Sequence, residues 1–170
     1  MGRRSEHSSK NKDLARALIE FVREALAIPH DRLRCTSVDG YKLSGGAKTE
    51  GELRKEIQSA RCFIGLITPE SLVSQFVLFE LGARWGSDEH FVPILAGGID
   101  AAALRPPLSN LNALDSANKG DMEQLVHDLA LLLKRKPPLP AIYEQRLKDL
   151  LKQKHRTPRT ITLPQSRSEI

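Results

Sequence analysis

The segment CFIGLIT, residues 62–68, is a continuous apolar run of strand length with no charged side chain in it. A strand alternates apolar and polar positions when one face of its sheet meets water. It becomes apolar throughout when both faces are covered, as in the parallel sheets of α/β proteins. A second short run, FVPIL at 91–95, repeats the signal. Pro93 has no N–H to give a ladder, so this run predicts an edge strand or a bulge.

Helical patterns surround these runs. Residues 12–27, KDLARALIEFVREALA, place Leu14, Ala17, Leu18, Phe21, Val22, Ala25 and Leu26 on one face, and IPHD ends the pattern. RLRCTSV at 32–38 alternates and predicts a short strand, and the glycine-rich DGYKLSGGAK after it predicts a loop. Thr49 and Glu52 form a capping-box pair that opens a helix on Leu53, Ile57 and Ala60. PESLVSQ reads as a loop, and SQFVLFELGARWG at 74–86 as helix. The irregular stretch from Ala96 carries a brief strand near Leu111–Leu114, and DMEQLVHDLALLLKR follows as helix. Strands alternating with helices predict an α/β fold with a mainly parallel sheet. Ligands in such sheets sit beyond the carboxyl ends of the strands. That rule sets TSVDGYKLSGG, TPESLVS and the start of the 74–86 helix along one rim.

Charge divides the chain unevenly. The formal net charge of the 170 residues is +5, but from Lys134 onward ten Lys/Arg face three Asp/Glu, leaving 16 basic and 18 acidic residues before it. A basic tail whose only aromatic is Tyr143 predicts a solvated segment rather than a nucleic-acid arm. The expected organisation is a domain over 1–135, a Pro-rich linker with a basic helix over 136–154, and a disordered tail over 155–170. No apolar run approaches the ~20 residues that span a bilayer. The N-terminus lacks an apolar h-region, and residue 6 is Glu where the myristoylation pattern wants Ser or Thr. With only Cys35 and Cys62 in the chain, no disulfide is forced, both read as buried thiols on strands, and a cytoplasmic location without membrane contact is expected. His7, His30, His90, His127 and His155 show no metal-ligand spacing, so no metal is expected.

Several chemistries fall away on the residues. GGAKT has Ala47 where a phosphate-binding P-loop needs Gly before its Lys. A phosphoacceptor receiver needs Asp at the end of its third strand, where CFIGLIT ends in Thr68 and Pro69. Glu80 stands out, because it interrupts the apolar run Phe76, Val77, Leu78, Phe79 and Leu81. An ionised carboxylate is costly to bury. Arg84 stands four residues on at bridging distance, so an ion pair and a functional role both fit Glu80.

Taken together, HSSKNKDLARALIEF, CTSVDGYKLSGG, LRKEIQSARCFIGLITPESLVSQFVLFELGARWG and VPILAGG, in that order, resemble a bacterial-type TIR (Toll/interleukin receptor) domain from about His7 to Leu133. The resemblance implies a flavodoxin-like three-layer sandwich with strand order 2-1-3-4-5. It implies an NAD⁺ glycohydrolase, with or without cyclase activity, serving bacterial defence or cell death, with NAD⁺ as substrate and no further cofactor. Glu80, followed by Leu81 and Gly82, matches the catalytic glutamate of that family. Ser74 and Phe76 match the loop serine and aromatic before it, and Trp85 is expected to shape the pocket. His7, Ser8 and Ser9 in a first loop, and Asp39, Gly40 and Tyr41 in the glycine-rich loop, are expected to border the nucleotide. Self-association or pairing with other TIR domains is the implied assembly.

The sequence departs from that family at its start. MGRRSEH holds Glu6 where a serine is expected and has no strand-like run before it, so the first strand is expected to be missing or replaced. Two other readings stand beside the enzyme: a non-catalytic TIR adaptor, and a nucleoside deoxyribosyltransferase-like enzyme that also sets a glutamate on an N-glycosidic bond.

Overall fold

Strand β1, Phe63–Ile67, pairs in parallel with β2, Phe91–Leu95, in the register Phe63 to Phe91 through Ile67 to Leu95. Strand β2 in turn pairs in parallel with β3, Leu114–Asp115, giving a three-stranded sheet in the order β1-β2-β3. The computed structural model describes residues 3–35, 37–41, 59–72, 90–106 and 108–153. Four helices accompany the sheet among them: α1 (Arg3–Leu26), α2 (Pro69–Leu72), α3 (Lys119–Leu132) and α4 (Pro140–Lys152). Short 3₁₀ turns lie at His30–Arg32, Ala101–Ala103 and Leu108–Asn110. The protein is α/β.

Successive side chains of a strand point to opposite faces, and here both faces are covered. Ile64, Leu66, Val92, Ile94 and Leu114 turn to a core built with Phe21 and Leu18 of α1, Met122 and Leu125 of α3, and Tyr143 and Leu147 of α4. Phe63, Ile67, Phe91 and Leu95 turn to a second cluster with Leu104 and Leu108. That double burial is why β1 and β2 carry apolar residues at every position.

Pro93 sits in the middle strand, not at an edge. The Ala96 N–H donates to the Ile67 carbonyl at 2.8 Å, whereas the Leu95 carbonyl accepts from Ser116 at 2.9 Å. Alternate residues of β2 therefore face opposite neighbours, and Pro93 shares the β3 side with Leu95. The β3 pairing begins only at Ile94 with Leu114. The missing N–H falls just short of that ladder, which is how a central strand tolerates the ring.

Other expectations also need correction. The helix predicted over 12–27 starts at Arg3, because a nucleated helix extends cheaply through good formers such as Arg, Lys and Glu. The first loop expected at His7, Ser8 and Ser9 is therefore helical backbone. Leu33–Cys35 is not strand. The Cys35 N–H donates to the Tyr41 carbonyl at 2.9 Å and the Tyr41 N–H to the Val38 carbonyl at 3.2 Å, so these groups close a turn instead of a ladder. Neither Cys35 nor Cys62 is in a disulfide, and both are half-buried and off the strands, Cys62 just before β1 and Cys35 in the turn closed with Tyr41. PESL, expected as loop, forms α2. Thr68 and Ser71 cap each other there, Thr68 Oγ1 accepting the Ser71 N–H at 3.2 Å and Ser71 Oγ the Thr68 N–H at 2.8 Å, with Pro69 at the first position where its missing N–H costs nothing. The helix expected from Thr49, most of the glycine-rich loop, the 74–86 helix and the 155–170 tail lie outside the described residues.

Helix α1 ends on Ala27, at φ +48°. The Ile28 N–H donates to Arg23 and the Ala27 N–H to Glu24, a Schellman ending with alanine where glycine is usual. Arg135 donates to the carbonyls of Leu26 and Ala27, satisfying the helix end from the α3–α4 connection.

Helix α4 packs back onto α1. Tyr143 meets Phe21 edge-to-face with ring centroids 5.6 Å apart, and burial, with Glu123 nearby, pushes its phenol above the ordinary range. Arg146 Nε donates to Glu24 Oε2 at 2.7 Å on the exposed rim of the same contact. Truncating Leu147 to alanine is expected to cost about 2–5 kcal/mol in chemical denaturation, because it opens a cavity at a buried position. Arg146→Ala, which breaks an exposed ion pair, costs under about 1 kcal/mol. Ala27→Gly is expected to raise stability by up to about 1 kcal/mol in the same assay, by relieving a left-handed non-glycine residue.

Candidate functional site

The carboxyl end of β1 gathers side chains from three parts of the chain. Thr68, 3% exposed, follows the strand directly. Asn11 of α1 reaches it, its Nδ2 donating to Thr68 Oγ1 and to Glu70 Oε2, each at 3.4 Å. The next residue of α1, Lys12, pairs with Asp39 of the 37–41 turn. An amide and a carboxylate therefore stand at the strand end where open α/β sheets bind ligands, and the neighbouring residue of α1 holds the 37–41 turn.

Local sequence explains each placement. Asn11 and Lys12 are held by α1, whose apolar face is fixed in the core by Leu18, Phe21 and Val22. Glu70 is carried on the first turn of α2, which the Thr68–Ser71 capping pair locks to the end of β1. Asp39 is presented by a turn with Gly40 at φ +90°, a conformation that favours glycine.

The expected site residues fare unequally. Asp39 is exposed at the rim beside Lys12. Tyr41 points inward: it is 4% exposed, its ring stacks on His30 with centroids 4.2 Å apart, and its hydroxyl donates to Glu20 Oε1 at 3.5 Å. The ring acts as the anchor of the turn, not as a wall of an open cleft. His7, Ser8 and Ser9 occupy α1 one turn or less before Asn11. Ser74, Phe76, Glu80 and Trp85 lie outside the described residues.

Asn11, Lys12 and Glu70 are not among the expected site residues. For Glu70 the usable signal was position, since it lies within TPES, a segment already set on the rim; Asn11 and Lys12, two and three residues past Ser9, carried no such signal. A separate groove of about 320 Å³ runs between α1 and α4, lined by Asp13, Arg16, Glu20, Arg146 and Asp149. None of the expected site residues lines it. Arg146 is committed there to Glu24 and Glu20, which hold its guanidinium above the ordinary range.

Among the described residues, no cluster of three or more His, Cys, Asp and Glu is placed to hold a metal ion. Nor is any helix among them long and apolar enough to cross a membrane. The chain matches no family model, no curated protein and no solved structure.

The geometry ranks the two contacts that hold the 37–41 turn. Tyr41→Ala removes a buried ring and is expected to cost about 3–5 kcal/mol. Asp39→Asn weakens a pair that water screens and is expected to shift stability by under about 1 kcal/mol. Paired denaturation curves check both.

Proposed function

We propose that the chain is a TIR-type NAD⁺ glycohydrolase of flavodoxin-like fold, acting in the cytoplasm in bacterial defence or cell death. The observation that carries the reading is the convergence at the carboxyl end of β1. Asn11 and Lys12, just after the HSS segment, meet Asp39 of the glycine-rich turn and Glu70 of TPES. Helix α1, just past one segment expected to border the nucleotide, thus contacts both the glycine-rich turn and TPES, which supports the reading. The parallel order β1-β2-β3 also suits strands three to five of a 2-1-3-4-5 sheet.

In this reading Glu80, ten residues beyond Glu70, supplies the chemistry. The bond from the ribose anomeric carbon to nicotinamide breaks, and its electron pair neutralises the pyridinium nitrogen. A carboxylate beside the resulting oxocarbenium-like centre stabilises it. No acid is needed for the leaving group, because nicotinamide departs neutral from a cation. Water then adds to the anomeric carbon and loses a proton, giving ADP-ribose; attack by the molecule's own adenine gives a cyclic product. Apolar neighbours such as Phe76 keep water from weakening the carboxylate's field. Asn11 and Glu70 offer a donor and an acceptor for ribose hydroxyls.

A specific observation favours a second reading. Helix α1 occupies the chain from Arg3, where the resembling family has its first strand. A domain altered there fits a non-catalytic adaptor that binds other TIR domains.

Nicotinamide release from NAD⁺ by concentrated protein separates the two. The enzyme reading expects release that falls about 10²–10³-fold in Glu80→Gln, the size of losing one preorganised electrostatic group. No release under any assembled condition supports the adaptor. Release that survives Glu80→Gln removes Glu80 from the role, and base exchange between deoxynucleosides with NAD⁺ untouched points to the transferase alternative.

A further inference from the structure

Leu139 breaks two local rules at once. It is the N-cap of α4, and no side-chain hydrogen bond caps the helix there. Ser, Thr, Asp and Asn usually fill that position, because their side chains accept an N–H of the first turn. Leu139 is also 73% exposed, so its apolar side chain adds nothing to the core. The exposed large apolar residues among those described are Leu131, Leu139 and Ile142, and the last two stand on either side of Pro140. A residue that serves neither the helix it opens nor the core beneath it points to a role outside folding.

Its conformation has a covalent cause. The segment is KRKPPLP, residues 134–140. Proline rings fix φ at about −65°, here at Pro137, Pro138 and Pro140. The residue before a proline is pushed to extended or polyproline II backbone, which governs Lys136, Pro137 and Leu139. Leu139 lies at φ −68°, ψ 138°, close to the polyproline II values of about −75° and +145°. That helix has three residues per turn. Lys136 and Leu139 therefore form one row along it, and Pro137 and Pro140 the row beside it. Lys136, Leu139 and Pro140 are exposed, whereas Pro137 and Pro138 are half-buried. Both ends of the segment are held. Arg135 donates to the Leu26 and Ala27 carbonyls, and the Ile142 N–H donates to the Leu139 carbonyl at 3.0 Å.

We propose that residues 136–140 are a docking ligand for a partner protein whose groove is lined by aromatic rings and rimmed by acidic residues. Such grooves take PxxP segments because the preformed helix has little conformational entropy left to lose. Two X-Pro pairs, Lys136–Pro137 and Leu139–Pro140, stand one turn apart on the same side, and Leu139 supplies the apolar anchor. Charge selects the rim. Lys134 and Lys136 are exposed, and no acidic residue lies between Lys134 and Tyr143. An acidic rim is therefore attracted and a basic one repelled. The inference is independent of the NAD⁺ reading.

The probes are purified SH3 and WW domains with acidic rims, isotope-labelled and titrated with the full chain while their NMR shifts are followed. The expected result is saturable shifts at the aromatic groove of at least one domain, with affinity falling as salt rises. Leu139→Asp is expected to weaken that binding by at least about tenfold, as loss of a central anchor does. The same change gives α4 a capping side chain, so the denaturation midpoint is expected to rise, and unfolding then cannot explain the lost binding. Should that variant not fold, Lys136→Glu, a charge reversal at an exposed position, is read in its place and is expected to weaken binding severalfold. No saturation of any domain at about 1 mM overturns the proposal, as does binding that both variants leave unchanged. An equal loss in Leu131→Asp, outside the proline segment, also overturns it, because the contact would then be a general apolar patch.

Discussion

The three short parallel strands among the described residues cannot stand alone in water, and the need to cover both faces of their sheet organises this part of the protein. One face is covered by α1, α3 and α4, whose Phe21, Met122 and Tyr143 meet over Ile94 and Leu114. The other is covered by the irregular 96–113 connection, through Leu104 and Leu108. Strands β1 and β2 therefore have no polar side to spare. The groups that must stay wet are pushed to the strand ends and to the outer surfaces of the helices. Function in such an architecture belongs at the carboxyl ends, where loops and helix starts converge without disturbing the core.

Helix α4 shows how the covering layer is completed. It is a basic helix by sequence, and it packs back on the domain, with Tyr143, Leu147 and Leu150 in the central core. Its cations are answered locally: Arg146 by Glu20 and Glu24, Lys148 by Glu144, and Lys152 by Asp149. A net positive charge spread this way leaves the helix free to pack. The same helix lends the chain before it, through Arg135, to finish the carboxyl end of α1. The segment beyond residue 135 is thereby tied to the α1 face of the sheet.

What was legible in the sequence follows from which signals are local. CFIGLIT and FVPIL read correctly as strands, since an unbroken apolar run of that length has few other uses, and the 3.6-residue spacing of Met122, Leu125, Val126 and Leu129 fixed α3. Alternation over RLRCTSV misled, because a turn closed by Cys35 and Tyr41 imitates it. Pro93 misled in the opposite sense. Whether a proline harms a central strand depends on which neighbour its missing N–H faces, and that is a property of register rather than sequence. At the rim, Asp39 was named only through the resemblance, although the glycine beside it does mark the turn that carries it. Asn11 and Lys12 were not legible, since nothing local distinguishes a polar residue on a solvated helix face from one aimed at a strand end. Tyr41, an aromatic in a loop, offers itself as a ligand platform and turns out to be the turn's anchor on His30 and Glu20.

The functional account rests on one carboxylate, Glu80, lying close to the rim that Asn11, Lys12, Asp39 and Glu70 define. A crystal structure of the protein with a non-cleavable carbocyclic analogue of NAD⁺ tests that placement directly. The account predicts the analogue at the carboxyl end of β1, with a Glu80 oxygen about 3–3.5 Å from the carbon that replaces the anomeric centre, the separation of a reacting pair. The analogue bound elsewhere, or Glu80 turned to Arg84 and away from it, would contradict the account.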